Sequence, residues 1–477
     1  MRARLILRMA IAAAAIPCLW VGGAGARYLL RTQAADRKAA ERLSTDFPSP
    51  RPSQRYLIVS PHPDDETLAC GGLIQRALQA HAEVRVIFVT CGDGYRAAVE
   101  RQFRKLRITP EDYLQFGEIR RNEALAAARE LGLAPAQLRF LGMPDGRMTD
   151  LWRSRLTDER SVSNIAQVRV PYEWAVQPGS PYSGAAVLRL LEDQMAEYRP
   201  THVLIPHPSD DHGDHAAVSA FARAAILDLT RREPFPPTPV ILHYLVHRGD
   251  WPQPQGLRIA MPLAPPAEMM GLDTMWHGLA LRDGEIARKL RAVRAYRSQT
   301  AVMPRYMLSF ARSTEFYGII PDAYAPLVSP GRPAAPTLLG QAVPVVLDAV
   351  DDSLLRRLQA QCDIRAVMAA VAGDELYLRV NTVKPPSRTA TTKVFARVLG
   401  TYDDPVGDAG MQVTARGGRV QGNIEALVSS DQGGTSVVLP LDRSHQAGTA
   451  ILDIETSVAG VVVDRTGPRV VRMGSGD

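Results

Sequence analysis

The chain has 477 residues, 46% of them hydrophobic and 22% charged, which excludes a disordered polymer and leaves room for two or three domains. The formal net charge is +6, but Arg2, Arg4, Arg8, Arg27 and Arg31 all fall in the first 31 residues, which hold no acid. The remainder is nearly neutral, so the basic balance argues for no nucleic-acid partner.

Arg2, Arg4 and Arg8 precede an uncharged run from Met9 to Ala26 that closes on Ala24-Gly25-Ala26. That is the layout of an export signal with a small-x-small cleavage site. The run is also long enough to span a bilayer, so residues 1–31 are expected to be a signal peptide or a membrane anchor. The protein is then exported, either periplasmic or anchored and facing the cell exterior, with membrane association through this segment. Cys18, Cys70, Cys91 and Cys362 are too few for a disulfide framework in a chain of this length. Residues 32–54 are polar, end in Pro48, Pro50 and Pro52, and suggest a spacer.

From Arg55 onward apolar strands alternate with amphipathic helices. Strands are predicted at Arg55–Ser60, Glu83–Thr90, Gln137–Leu141, Thr201–Pro206 and Val240–His247. Helices are predicted at Glu66–Ala80, Ala97–Leu106, Gly117–Gly132, Ala185–Tyr198, Gly213–Thr230 and Gly284–Tyr296. This alternation implies an α/β, Rossmann-like, mostly parallel sheet with helices on both faces, over residues 55–320. Ligands of such sheets sit beyond the carboxyl ends of the strands. Two long connections, Asp145–Gly184 and Gly249–Asp283, carry Trp152, Tyr172, Trp174, Tyr182, Trp251 and Trp276. Their aromatic rings either stack on sugar faces or pin the loops to the core.

A Pro-rich linker is expected over 321–340. Short alternating runs at Glu375–Val383, Thr392–Leu399, Thr435–Leu441, Thr449–Ile454 and Gly460–Asp464 follow it. They predict an all-β, sandwich-like accessory domain over 341–477, serving as a spacer or a docking domain.

Two stretches carry the chemistry. Ser60-Pro61-His62-Pro63-Asp64-Asp65-Glu66 follows the first strand, and Asp210-Asp211-His212-Gly213-Asp214-His215 follows the fourth. Imidazoles and carboxylates crowded at two strand ends suit a divalent-metal hydrolase, whose ion takes about three protein ligands. Adjacent Asp64 and Asp65 must point different ways, so one can bind a metal while the other acts on water. Asp214 can orient a neighbouring imidazole.

His62-Pro63-Asp64-Asp65-Glu66 with Gly71-Gly72 resembles the signature of the PIG-L/LmbE-like N-acetylglucosaminyl deacetylases. Further matches are Thr90-x-Gly92-x-Gly94, Arg120-x-x-Glu123, Leu141-Gly142-x-Pro144-Asp145-Gly146, His212-x-Asp214-His215, Ser298-Gln299 and Glu315-Phe316. Their shared order makes the signal specific where any one alone is weak. The resemblance implies a Zn2+ site, or another first-row ion, held by His62, Asp65 and His215. It implies Asp64 as general base, and His212, steadied by Asp214, as the polarising or protonating group. Arg120 and Asp145 would hold sugar hydroxyls. Glu66 reads as structural, and Asp210 stands where some family members place a tyrosine. The activity implied is removal of acetyl from an N-acetylated sugar in a cell-envelope or exported glycan. Alternatives are an amidase of the same chemistry acting on a small glycoconjugate, and a non-catalytic glycan-binding protein.

Overall fold

The computed structural model describes residues 31–154, 167–232, 238–328, 342–351, 353–399, 410–417, 419–431, 433–441 and 448–474. The expected signal or anchor lies outside these residues apart from Arg31. Among the described residues no helix is long and apolar enough to cross a membrane.

Residues 31–42 form helix α1. The segment expected as a free spacer packs on the domain instead. Ala39 and Leu43 are buried, Asp36 accepts the Ala267 amide at 3.1 Å, and Ser44 and Phe47 bracket Gly278 with two backbone hydrogen bonds. A side chain at Gly278 would meet the Ser44 carbonyl at 2.9 Å.

The sheet domain then runs β1 (Arg55–Ser60), α2 (Asp65–Gln79), β2 (Glu83–Thr90), α3 (Arg96–Phe103), α4 (Pro110–Leu131) and β3 (Leu138–Met143). Next come α5 (Met148–Arg153), α6 (Gly184–Tyr198), β4 (His202–Pro206), α7 (Gly213–Arg232) and β5 (Val240–Tyr244). It ends with β6 (Met275–Ala280), α8 (Asp283–Ala295), α9 (Arg297–Val302), α10 (Pro304–Leu308) and β7 (Thr314–Ile319). The strand order is β3-β2-β1-β4-β5-β7-β6. The first five strands are parallel, and β7 and β6 add an antiparallel edge.

Strand β1 shows why the sheet is covered on both faces. Tyr56 and Ile58 join the core under α2, α4 and α8, while Leu57 and Val59 join the one under α6 and α7, as the period-2 strand requires. The chain leaves β1 for β2 on one side and meets β4 on the other. The carboxyl ends of β1 and β4 therefore form the switch point where such sheets bind ligands. Helix α4 starts earlier than predicted because Thr109 and Asp112 form a capping box, with Pro110 in the first turn. Strand β6 hides in the second long connection, its Met-Trp-His-Gly run lacking β-branched residues. Trp152, Tyr172, Tyr182 and Trp251 are buried, so these rings pin the loops rather than facing a ligand.

The C-terminal half holds two sheets around a third core. One contains β9 (Val343–Leu347), β10 (Ile364–Ala372), β11 (Glu375–Thr382), β15 (Leu427–Ser430) and β16 (Gly434–Pro440). The other contains β8 (Ala323–Ala325), β12 (Ala390–Leu399), β13 (Gly410–Arg416), β14 (Arg419–Gly422), β17 (Thr449–Val458), β18 (Val461–Arg465) and β19 (Arg469–Met473). Strand β8 falls inside the predicted linker yet pairs with β19. Nor is this half held at a distance. Phe395, Leu399, Ile451 and Val470 share a buried cluster with Trp152 and Phe221 of the sheet domain.

Beneath α2 the Lys289 ammonium and Glu315 carboxylate pair at 2.7 Å, both without solvent exposure. Glu315 also accepts the amides of Gly72 and Leu73. Removing one partner of a buried pair strands the other charge. Lys289→Met should therefore cost about 3–5 kcal/mol, measured as a lower denaturant midpoint for the unfolding of the sheet domain.

Candidate metal centre

The first motif leaves β1 and turns into α2 at Asp64, whose φ of 141° is a conformation L-residues rarely adopt. This turn separates the neighbouring carboxylates. Asp65 points inward and is 1% exposed, while Asp64 lines a cavity of about 420 Å³. Glu66 accepts the Asp64 amide at 3.1 Å and the hydroxyls of Thr67 and Tyr296, a structural role as expected.

The second motif leaves β4 and meets the first. His215 Nε2 lies 3.3 Å from His62 Nδ1 and 3.1 Å from Asp65 Oδ2. His62 Nδ1 lies 3.3 Å from the same Asp65 oxygen. The far side of each ring faces a carboxylate: His62 Nε2 is 3.1 Å from Asp145 Oδ1 and 3.2 Å from Asp214 Oδ2, and His215 Nδ1 is 3.1 Å from Asp210 Oδ2. With both imidazoles neutral, as metal ligands are, the outer nitrogens would carry the protons, and two bare nitrogens and a carboxylate oxygen would face one another.

Such a triangle repels itself unless a positive charge fills it. Around a tetrahedral ion with bonds of about 2.0–2.1 Å, donor atoms stand about 3.3 Å apart, so the residues present fit a divalent ion. Electrostatics agrees. Burial would keep His215 neutral, but Asp210 and Asp65 outweigh it and push its pKa up to about 10. The centre attracts positive charge.

Three residues sit differently from their predicted roles. The Asp214 carboxylate faces His62 and accepts the Gly146 and Met148 amides at 2.7 and 3.0 Å. It does not steady the His212 ring, which meets only the Asp214 backbone amide, at 3.3 Å. The N-terminal amides of α5 draw the carboxylate away. Asp145 likewise braces His62, and its other oxygen accepts the Gly94 amide at 2.8 Å. Arg120 gives its guanidinium to the carbonyls of Gly92 and Pro63 and to Asp64 Oδ2 at 3.1 Å. A side chain at Gly92, where φ is +60°, would overlap it. Arg120 and Asp145 therefore line the cavity while organising the first motif.

Asp64 is held between opposing effects. Burial raises its pKa to about 8, against the pull of Arg120. Burial also lowers His212 to about 4, with His62 and His215 adding to the effect. With Nδ1 accepting the Asp214 amide, the neutral His212 ring carries its proton on Nε2.

Two contributors had no sequence signal. Asp210 accepts from His215 and from the amides of Val246 and His247, so it orients the second imidazole. His247 was expected within a strand, but β5 ends at Tyr244. His247 lines the cavity with its Nδ1 3.0 Å from the Tyr306 hydroxyl. His207 and His243 are buried structural residues, bonded to Thr274 and to the Pro206 carbonyl. Cys70 and Cys91 are free thiols.

Residues 57–226 match the family described as PIG-L, GlcNAc-PI de-N-acetylase. The match runs from β1 into α7. It is similar to the 1D-myo-inositol 2-acetamido-2-deoxy-alpha-D-glucopyranoside deacetylase of Mycobacterium sp. (strain KMS), at 31% identity over 176 residues, 36% of this chain and 50% of that protein. The protein of the same name from Kribbella flavida is 28% identical over 286 residues, 56% of this chain and 90% of its own length. The chain thus spans about half the length of the first curated relative. Among solved structures, the N,N'-diacetylchitobiose deacetylase from Pyrococcus horikoshii is 18% identical, with 60% of this chain and 90% of that one covered at a TM-score of 0.37. The PIG-L match contains every residue of the donor triangle and its bracing carboxylates, and ends before His247 and Tyr306.

Bracing carboxylates of metal-bound imidazoles are worth about 10–100-fold in metal affinity. Asp210→Ala should weaken Zn2+ binding by that factor in competition with a chromophoric chelator, whereas His207→Phe should leave it unchanged.

Proposed function

We propose that this protein is a metal-dependent hydrolase that removes the acetyl group from an N-acetylated, glucosamine-type sugar, with Zn2+ as the resident ion. The donor triangle of His62, Asp65 and His215 carries the reading, and the substrates named for the PIG-L relatives supply the sugar. An ion held there supplies Lewis acidity toward water and toward an acetamide carbonyl.

The remaining steps belong to the chain. Asp64, on the cavity wall and made basic by burial, takes the proton from the attacking water. Arg120 fixes its orientation, so no reorganisation is needed as charge moves. His212 presents Nε2–H to the acyl oxygen, where negative charge develops, and the proton that Asp64 took from water passes to the departing amine. The cavity is lined both by polar groups, among them Asp145 and Gln299, and by the apolar side chains of Leu68, Met303 and Met307. A pyranose, with hydroxyl edges and apolar C–H faces, suits both. The exported, cell-envelope setting and the glycan partner are proposed on the sequence of residues 1–31 together with this chemistry.

The test is release of acetate and free amine in equal amounts from a panel of N-acetylglucosaminides, both polymeric and small. Asp64→Asn should lower kcat by at least about 100-fold with metal content unchanged, and chelation should abolish turnover that Zn2+ restores. Wild-type protein that binds zinc yet cleaves none of the panel would refute the substrate assignment. Undiminished turnover by Asp64→Asn would refute the base.

A further inference from the structure

The β domain reaches the two loops that assemble the metal centre, and it does so with buried arginines. Arg397 of β12, fully buried, donates to the carbonyls of Trp152 and Ser154, both at 2.8 Å. Its guanidinium lies 5.0 Å from the Trp152 ring centroid. It thereby grips the C-terminal end of α5, whose N-terminal amide at Met148 holds Asp214. Arg153 of the same helix pairs with Asp453 of β17 at 2.9 Å.

The second grip is on the loop that follows β4. Arg469 of β19, 4% exposed, donates to Ser209 Oγ at 2.8 Å and approaches Asp273 at 3.3 Å. The turn before it brings Gly467 against Pro208 so closely that a Cβ there would lie 1.7 Å from the Pro208 carbonyl oxygen. Asp210, which orients His215, is the next residue but one after Pro208.

Phe395 and Ile451 share a buried apolar cluster with residues of α7, which is all that a passive module needs for contact. Burying arginines costs several kcal/mol each in desolvation, and these two lie where the centre's loops are shaped. We propose that the C-terminal β domain is a fixed brace behind the loops that carry the metal centre. Arg397 and Arg469 are its positioning residues, setting the donor triangle through α5 and through residues 207–213. This rests on the reading of the triangle as a metal site.

The full-length chain is loaded with Co2+, whose visible absorption reports ligand geometry. Wild type is compared with Arg397→Met and Arg469→Met by absorption, by rate of cobalt loss to a chelator, and by amide hydrogen exchange of residues 146–154 and 207–215. Each Met variant should lose cobalt about 10-fold faster, change the absorption band, and exchange faster in the segment it grips. Arg→Lys at the same positions should restore part of the effect. If a Met variant does not fold, the Lys variants and Ser209→Ala carry the same comparison. Variants that match wild type in spectrum, loss rate and exchange overturn the proposal. A wild type that takes up no cobalt overturns the metal reading and this one with it.

Discussion

Two bare imidazole nitrogens and a carboxylate oxygen crowd within 3.3 Å of one another, and a protein interior tolerates that only around positive charge. Much of the surrounding structure serves to make those lone pairs face inward. A neutral imidazole has one proton, so whichever nitrogen donates outward leaves the other bare. Asp214 and Asp145 claim the outer nitrogen of His62, and Asp210 claims that of His215. These three buried carboxylates are in turn satisfied by backbone amides: Gly146 and Met148 for Asp214, Gly94 for Asp145, Val246 and His247 for Asp210. The tautomers are thus set by loop backbone, which ties the chemistry of the centre to the conformation of loops after four different strands.

The same economy shapes the turn into α2. A residue at a φ of 141° stores about 1–3 kcal/mol of strain, and the surroundings must over-determine it. Glu66 holds the Asp64 amide, Arg120 holds its carboxylate, and Arg120 is itself pinned to the Gly92 and Pro63 carbonyls. Further along the helix Glu315 takes the amides of Gly72 and Leu73 and is neutralised by Lys289. At Gly72 the helix packs so closely that a Cβ would fall 2.3 Å from a methyl of Leu281, which would have to move. A rigid helix start is what lets Asp64 and Asp65, adjacent in the chain, face two different environments.

The parts legible in the sequence are those written in local pattern. Strand β1 announces itself by an apolar run, and the two motifs by the density of His and Asp at strand ends, so a metal site was legible from residue types, while the choice of His62, Asp65 and His215 rested on the family resemblance. What Asp214, Asp145 and Arg120 do was not legible, because each is decided by a partner remote in the chain: Asp214 turns to amides about 65 residues earlier instead of to its neighbour His212. Asp210 looked like a departure from a pattern, and its role needs the Val246 and His247 amides brought across from the end of β5. Strands β9, β10 and β13 to β15 escaped prediction because short or small-residue runs acquire strand geometry from their neighbours.

The division of labour within the fold follows from where these residues lie. The donor atoms and their bracing carboxylates fall within residues 57–226, the span of the PIG-L match, whereas the Val246 and His247 amides that hold Asp210 lie beyond it. His247, Gln299, Met303, Tyr306 and Met307 of the cavity wall lie beyond it, as do the arginines of the β domain. The later segments therefore shape both the cavity wall and the loop that holds Asp210. The Tyr306 hydroxyl illustrates the point. It contacts both the Val246 carbonyl and His247 Nδ1, so the residue that shapes the outer wall also touches the loop whose amides hold Asp210. Three hydrogen bonds thus connect the outer wall to the second imidazole: Tyr306 to the Val246 carbonyl, the Val246 amide to Asp210, and Asp210 to His215.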